Sequence, residues 1–297
     1  MTADRATIEA LIATIPALAG RWSIEPLAGL TNRSFRLSRD GEALVLRLPG
    51  AASGEVVHRG DEAHNTAIAA ALGIAPSVLH SEPSGLLVTR YLESARSLTM
   101  LEASEPSVLD AVGRLLARLH RSGARFRGAR EPFANLDRYL ALSGEAGNPD
   151  LLRLRRSADP ARQALAATAE PPVPSHIDPA PANFLHDGER LLLIDWEYSA
   201  MAEPTWDLAD FSAEADLDDD AMARLLEAYG GDASASGRAR LALWRIALDL
   251  LAAAWAQLRL RRSPSADLAA MLAHRQRRAA AALGGSDYGR WLEVAAR

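Results

Sequence analysis

The chain has 297 residues, 48% of them hydrophobic and 24% charged, which excludes wholesale disorder, collagen and a disulfide scaffold and sets a length prior of about two domains. Its 33 Lys+Arg against 38 Asp+Glu give a net charge of −5, the wrong sign for a dedicated nucleic-acid binder, and the absence of cysteine removes disulfides and thiolate zinc sites. Every basic residue is arginine; a task that usually falls to lysine must be done here by arginine or not at all.

Ile8 to Gly20 reads as an amphipathic helix. Ala17-Leu18-Ala19 mimics a signal-peptidase site, but Asp4, Glu9 and Pro16 do not fit a signal peptide. Trp22 to Leu27 reads as a strand, Gly29-Leu30-Thr31-Asn32 as a turn, and Ser34 to Ser38 as a second strand. Asp40-Gly41 is a hairpin signal leading into an apolar strand, Ala43 to Leu48, that contains Arg47. Arg59 to Leu72 is a helix stopped by Gly73, and Ser77 to His80 and Leu86 to Arg90 are two more strands. Five strands and an inserted helix make a small antiparallel α+β lobe.

Beyond Tyr91 the pattern turns helical: Ser107 to His120, Asn135 to Ser143 and Leu151 to Ala169. After the breaker Glu170-Pro171-Pro172-Val173-Pro174 comes a loop-and-strand region to Tyr198, then helices over roughly 206–213, 218–229, 235–261, 264–282 and 285–296. The expected domains are 1–91 and 92–297, hinged near Tyr91 to Glu93. Ile246 to Leu258 is short and interrupted by Asp249, so no membrane span is expected. The expected location is cytoplasmic.

The chemistry concentrates in His176-Ile177-Asp178-Pro179-Ala180-Pro181-Ala182-Asn183 and Leu191-Leu192-Leu193-Ile194-Asp195-Trp196-Glu197-Tyr198. Phosphoryl transfer needs a carboxylate beside the attacking hydroxyl, with an amide oxygen and a second carboxylate holding Mg²⁺ on the phosphates. The Asp-to-Asn spacing lets one loop carry the first two groups, and the second Asp closes an apolar strand. His176 reads as scaffold rather than proton carrier. Asp207 reads as a brace for this loop or a helix cap. Strand Arg47 faces either phosphate or solvent. His58 and His64 lack a metal-ligand spacing.

The piece Ile194-Asp195-Trp196-Glu197-Tyr198-Ser199, with Met201, Glu203-Pro204 and Trp206-Asp207-Leu208-Ala209, resembles the signature of the choline/ethanolamine kinase family, within the aminoglycoside-phosphotransferase-like kinases. Pro26 to Asn32, Val45 to Gly50 and Gly73-Ile74-Ala75-Pro76 resemble it too. The resemblance implies a bilobal protein-kinase-like α+β fold, with a small antiparallel-sheet lobe and a larger helical lobe. It also implies ATP- and Mg²⁺-dependent phosphorylation of a small-molecule alcohol, choline or a related amino alcohol.

By motif, the resemblance makes Asp178 the catalytic base and Asn183 and Asp195 the Mg²⁺ ligands. Arg47 holds the ATP phosphates, paired with Glu62; Thr31 and Asn32 cover them; adenine lies near Tyr91 and Leu92. The acceptor falls to Glu214, Tyr198, Glu197 and Trp255. A quaternary ammonium is recognised by aromatic faces and a nearby carboxylate. Ala252 departs from the family, which often has a second aromatic there. Thiamine, an aminoglycoside or a non-catalytic pseudokinase are the alternatives. The oligomeric state, a homodimer included, is not read from the sequence.

Overall fold

The computed structural model describes residues 2–27, 32–50, 57–144 and 148–295. The chain divides into two compact units, one formed by 1–98, 126–128 and 182–200, the other by 99–125, 129–181 and 201–297.

The first unit is built on a five-stranded antiparallel sheet. In spatial order its strands are Ser23–Leu27, Arg33–Arg39, Glu42–Leu48, Leu87–Arg90 and Val78–Ser81. These are the five expected strands: the first three pair in sequence, and after the inserted helix the chain takes the far edge, Val78–Ser81, before Leu87–Arg90 pairs beside Glu42–Leu48. Asp40 and Gly41 both take positive φ (45° and 79°), the two-residue turn that matches strand twist. One face carries Phe35, Leu37, Leu44, Leu46 and Val88, all buried, and the first helix, Thr2–Thr14, covers it with Ile8 and Ile12. Strand alternation turns Arg47 to the other face, toward the helix Arg59–Ala71. That helix ends at Gly73 (φ +67°), with Ile74 N bonded to Ala69 O at 2.9 Å. A second sheet joins Arg96–Ser97, Phe184–His186 and Leu191–Leu193.

The second unit is helical. Its axis is Ala235–Leu260, packed by Pro132–Leu142, Thr205–Glu214, Ala266–Gly284 and Asp287–Ala295. By length and composition alone this helix could cross a bilayer, but 72% of its apolar window is buried within the protein, as in the core helix of a bundle. The expected single helix Leu151 to Ala169 is two, Pro149–Ser157 and Asp159–Ala167. Pro160 has no N–H to return to Arg156, so the ladder breaks there. Pro106–His120 lies tight on Asp219–Tyr229, since a Cβ on Gly113 would stand 2.7 Å from Ala228 Cβ.

Candidate active site

In the first unit, Arg47 and Arg59 meet three carboxylates. Arg47 is ion-paired with Glu62 and with Asp195, the latter at 3.0 Å. Glu62 is buried in the first turn of its helix, where a negative charge also meets the positive end of the helix dipole. Arg59 Nη1 donates to Glu62 Oε2 at 2.6 Å and Glu197 Oε2 at 3.2 Å. Asn32 Nδ2 donates to Glu197 Oε2 at 3.0 Å, and Asn32 Oδ1 accepts Arg59 Nη2 at 3.1 Å.

Asp195 follows the short strand Leu191–Leu193, whose Leu193 N bonds Ile74 O at 2.7 Å. Ile194 N bonds Asn183 O at 3.0 Å, so the backbone ties the Asn183 and Asp195 segments together. Asp195 sits at φ +64°, a left-handed conformation uncommon for a non-glycine residue. Burial and the neighbouring Glu197 push its carboxyl up to about 6, and Glu62 adds to this, against the opposing pull of Arg47 and Arg59. Trp196 is core, its indole N–H bonded to Leu193 O. Thr31 lies outside the described residues. Tyr91 is half-buried, with Arg36 over its ring at 4.7 Å and its own N–H bonded to Ala43 O at 3.0 Å. Leu92 is also half-buried.

In the second unit the His176-Ile177-Asp178 segment is fixed from below. Asp207, fully buried, accepts His176 N at 2.7 Å, Ile177 N at 2.8 Å and His120 Nε2 at 3.0 Å. Burial alone would raise its carboxyl; the His120 hydrogen bond and charge, with His176, outweigh that and lower it. The other nitrogen of His120, Nδ1, is 3.0 Å from Tyr229 OH. Ile177 is held at φ +76°, strained for a β-branched residue, and Trp206 Nε1 donates to its carbonyl at 3.0 Å. Asp178 follows directly and is partly exposed. Of the two readings of Asp207, the structure shows the loop brace.

The acceptor candidates fall in both units. Tyr198 is half-buried in the first, beside buried Glu197. In the second, Glu214 is ion-paired with buried Arg275, which also bonds Asp249 Oδ1 at 3.1 Å and Ala213 O at 3.2 Å. Trp255 is half-buried, with Arg259 over its ring at 5.6 Å. Asp210, one turn before Glu214, is a residue that no motif marks. Desolvation, then the Glu214, Asp178 and Asp207 charges, raise its carboxyl well above the ordinary range against the pull of Arg275.

The residues of this strand, helix and loop set fall in one recognised pattern. The phosphotransferase enzyme family matches residues 23–244. The chain belongs to this family. Protein LicA of Haemophilus influenzae is 32% identical over 213 residues, 68% of this chain and 61% of that protein, so the phosphotransferase-family chain spans less than two thirds of that relative. The solved structure of a choline/ethanolamine kinase family protein from Mesorhizobium loti is 35% identical, with TM-score 0.87 over 100% of this chain and 99% of the other. That of the choline kinase LicA from Streptococcus pneumoniae is 25% identical, with TM-score 0.81 over 93% and 99%. The α+β kinase-like fold is thus the one the sequence pattern implied.

Proposed function

We propose that this chain transfers the γ-phosphoryl group of ATP to the hydroxyl of choline or a related amino alcohol. The observation that carries the reading is the cluster of Arg47 with Glu62 and Asp195 in a chain of this family. Residues 1–91 serve as the nucleotide-binding lobe and 92–297 as the catalytic and acceptor lobe. Arg47, oriented by Glu62, holds the phosphates, Thr31 and Asn32 cover them, and Tyr91 and Leu92 flank the adenine.

Asp178 orients the acceptor hydroxyl and takes its proton on a carboxylate oxygen as the new P–O bond forms. The Asp207 clamp on His176 and Ile177 fixes the backbone that presents Asp178, so little ordering cost remains at reaction. Glu62, Asp195 and Glu197 each place a carboxylate oxygen within 4.8 Å of the others, a hard-oxygen set that suits Mg²⁺. Asp195 and Asn183 are the residues that would hold the ion. When bound it supplies neutralisation of the phosphate charge.

Glu214, Tyr198 and Trp255 are the candidates to recognise the acceptor cation, while Glu197, bonded to Arg59 and Asn32, belongs with the carboxylate set of the first unit. A second reading, another hydroxylated amine such as thiamine or an aminoglycoside, draws support from Ala252 and from the two arginines on the cage residues, Arg275 on Glu214 and Arg259 over Trp255. ADP release from ATP–Mg²⁺ with choline, ethanolamine, thiamine and an aminoglycoside panel separates the readings. Turnover highest with choline or ethanolamine supports the first, and turnover only with thiamine or an aminoglycoside the second. ATP–Mg²⁺ binding without turnover of any acceptor overturns both.

A further inference from the structure

No sequence motif marks Arg59, yet it touches three side chains of the first unit's polar cluster: Glu62, Glu197 and Asn32. Its side chain is 11% exposed. The fold makes room for it. Gly85, at φ +97° in the turn between two strands, leaves open a position where a Cβ would lie 2.6 Å from Arg59 Cδ. The stem is therefore cradled by backbone, while the guanidinium reaches across the carboxylates.

The charges explain why it is there. Glu62, Asp195 and Glu197 crowd together, and Arg47 pairs with only the first two. Glu197, 4% exposed, has Arg59 as its ion-pair partner. Two guanidiniums offset these three carboxylates to a net −1, and a divalent cation among them brings the group to +1, an excess that the departure of one guanidinium relieves. Both arginines pair with Glu62, but Arg47 springs from a central strand of the sheet, whereas Arg59 stands at the first residue of its helix.

We propose that Arg59 is the movable cation of this site: it takes the place of metal charge on Glu197 while no nucleotide is bound, and turns to the polyphosphate when a metal–nucleotide complex occupies the cluster. It is then a second phosphate-binding arginine beside Arg47 and a competitor of the free metal ion. The phosphate half rests on the kinase reading above; the competition half rests on the carboxylate cluster alone.

The test is two titrations of the full chain, wild type, Arg59→Met and Arg59→Lys, each checked for folding by thermal unfolding. Mn²⁺ is titrated into nucleotide-free protein by water-proton relaxation, and ADP is titrated in EDTA by calorimetry. Removing the competing cation should tighten Mn²⁺ binding by about fivefold or more in Arg59→Met and weaken metal-free ADP binding by a similar factor. Arg59→Lys, which keeps the charge but cannot bridge three partners, should fall between. Unchanged or weaker Mn²⁺ binding in a folded Arg59→Met overturns the proposal, as does full metal-free ADP affinity. If Arg59→Met does not fold, wild-type Mn²⁺ affinity in Arg59→Lys does the same. If wild type binds no ADP even with Mg²⁺, the kinase reading fails instead, and the Mn²⁺ arm still decides whether Arg59 competes.

Discussion

Asp207 accepts the backbone amide of Ile177 at 2.8 Å, and Ile177 stands at φ +76° immediately before Asp178. A buried carboxylate thus pins the one strained residue that aims the proposed base. Asp207→Asn removes the charge and keeps one acceptor oxygen, so its amide hydrogens oppose either the Ile177 N–H or the donors of His176 and His120. The expected loss is about 3–5 kcal/mol of stability, as for breaking a buried charged network. Urea denaturation measures it, and a loss under about 1 kcal/mol would show that the clamp is dispensable.

Much of this architecture is legible in the sequence, for local reasons. Alternation gives the five strands, Asp40-Gly41 the hairpin between the second and third, and Gly73 the end of the inserted helix. The spacing of Asp178 and Asn183 and the strand ending before Asp195 mark the proposed site without any tertiary knowledge. Arg59 and Asp210 escape because their meaning lies in what packs around them: Glu197 is 138 residues from Arg59, and Asp210 is perturbed by Asp178 and Arg275. The pairing of Glu214 with Arg275 joins two distant helices and leaves no periodic trace. One missed element did leave a signal. The short helix Met100–Ala103 begins with a Thr99-x-x-Glu102 capping box, in which each end satisfies the other's backbone donor.

Stability should carry a pH signature of Asp195. Its carboxyl is raised to about 6, so the folded chain keeps a proton over the range from about pH 4 to 6 that the unfolded chain has lost. That contribution is complete below about pH 4 and disappears as the pH rises through about 6. In EDTA, Asp195→Asn should therefore gain on wild type across this window and hold the advantage at pH 7. Denaturation curves that stay parallel from pH 4 to 7 would contradict the shift.

Arg47 pairs with two carboxylates at once, a geometry a single ammonium does not reproduce. Arg47→Lys should lower kcat/KM for ATP by about tenfold and Arg47→Met by about a hundredfold, the scale of one to two lost charge-assisted hydrogen bonds. Steady-state kinetics with ATP varied checks this. An Arg47→Met enzyme with unchanged kcat/KM would move the phosphate-binding role elsewhere.

Glu214 is expected to act on the acceptor and not on the nucleotide. Glu214→Gln should raise KM for a cationic acceptor by about tenfold, near 1.4 kcal/mol, and leave KM for ATP unchanged. Equal changes in both constants would mean that the substitution acts through Arg275, Asp249 and the packing of the late helices.

Phosphoryl transfer with Asp178 as base is tested most directly by following the product. Incubation with γ-labelled ATP, Mg²⁺ and choline, with the acceptor isolated, should yield labelled phosphocholine from wild type. Asp178→Asn should lower that rate by about a hundredfold or more while binding ATP normally, as for loss of a general base. Labelled product at the wild-type rate from Asp178→Asn would contradict the assignment of the base. No labelled acceptor from wild type, with choline or any related amino alcohol, would contradict the proposed reaction itself.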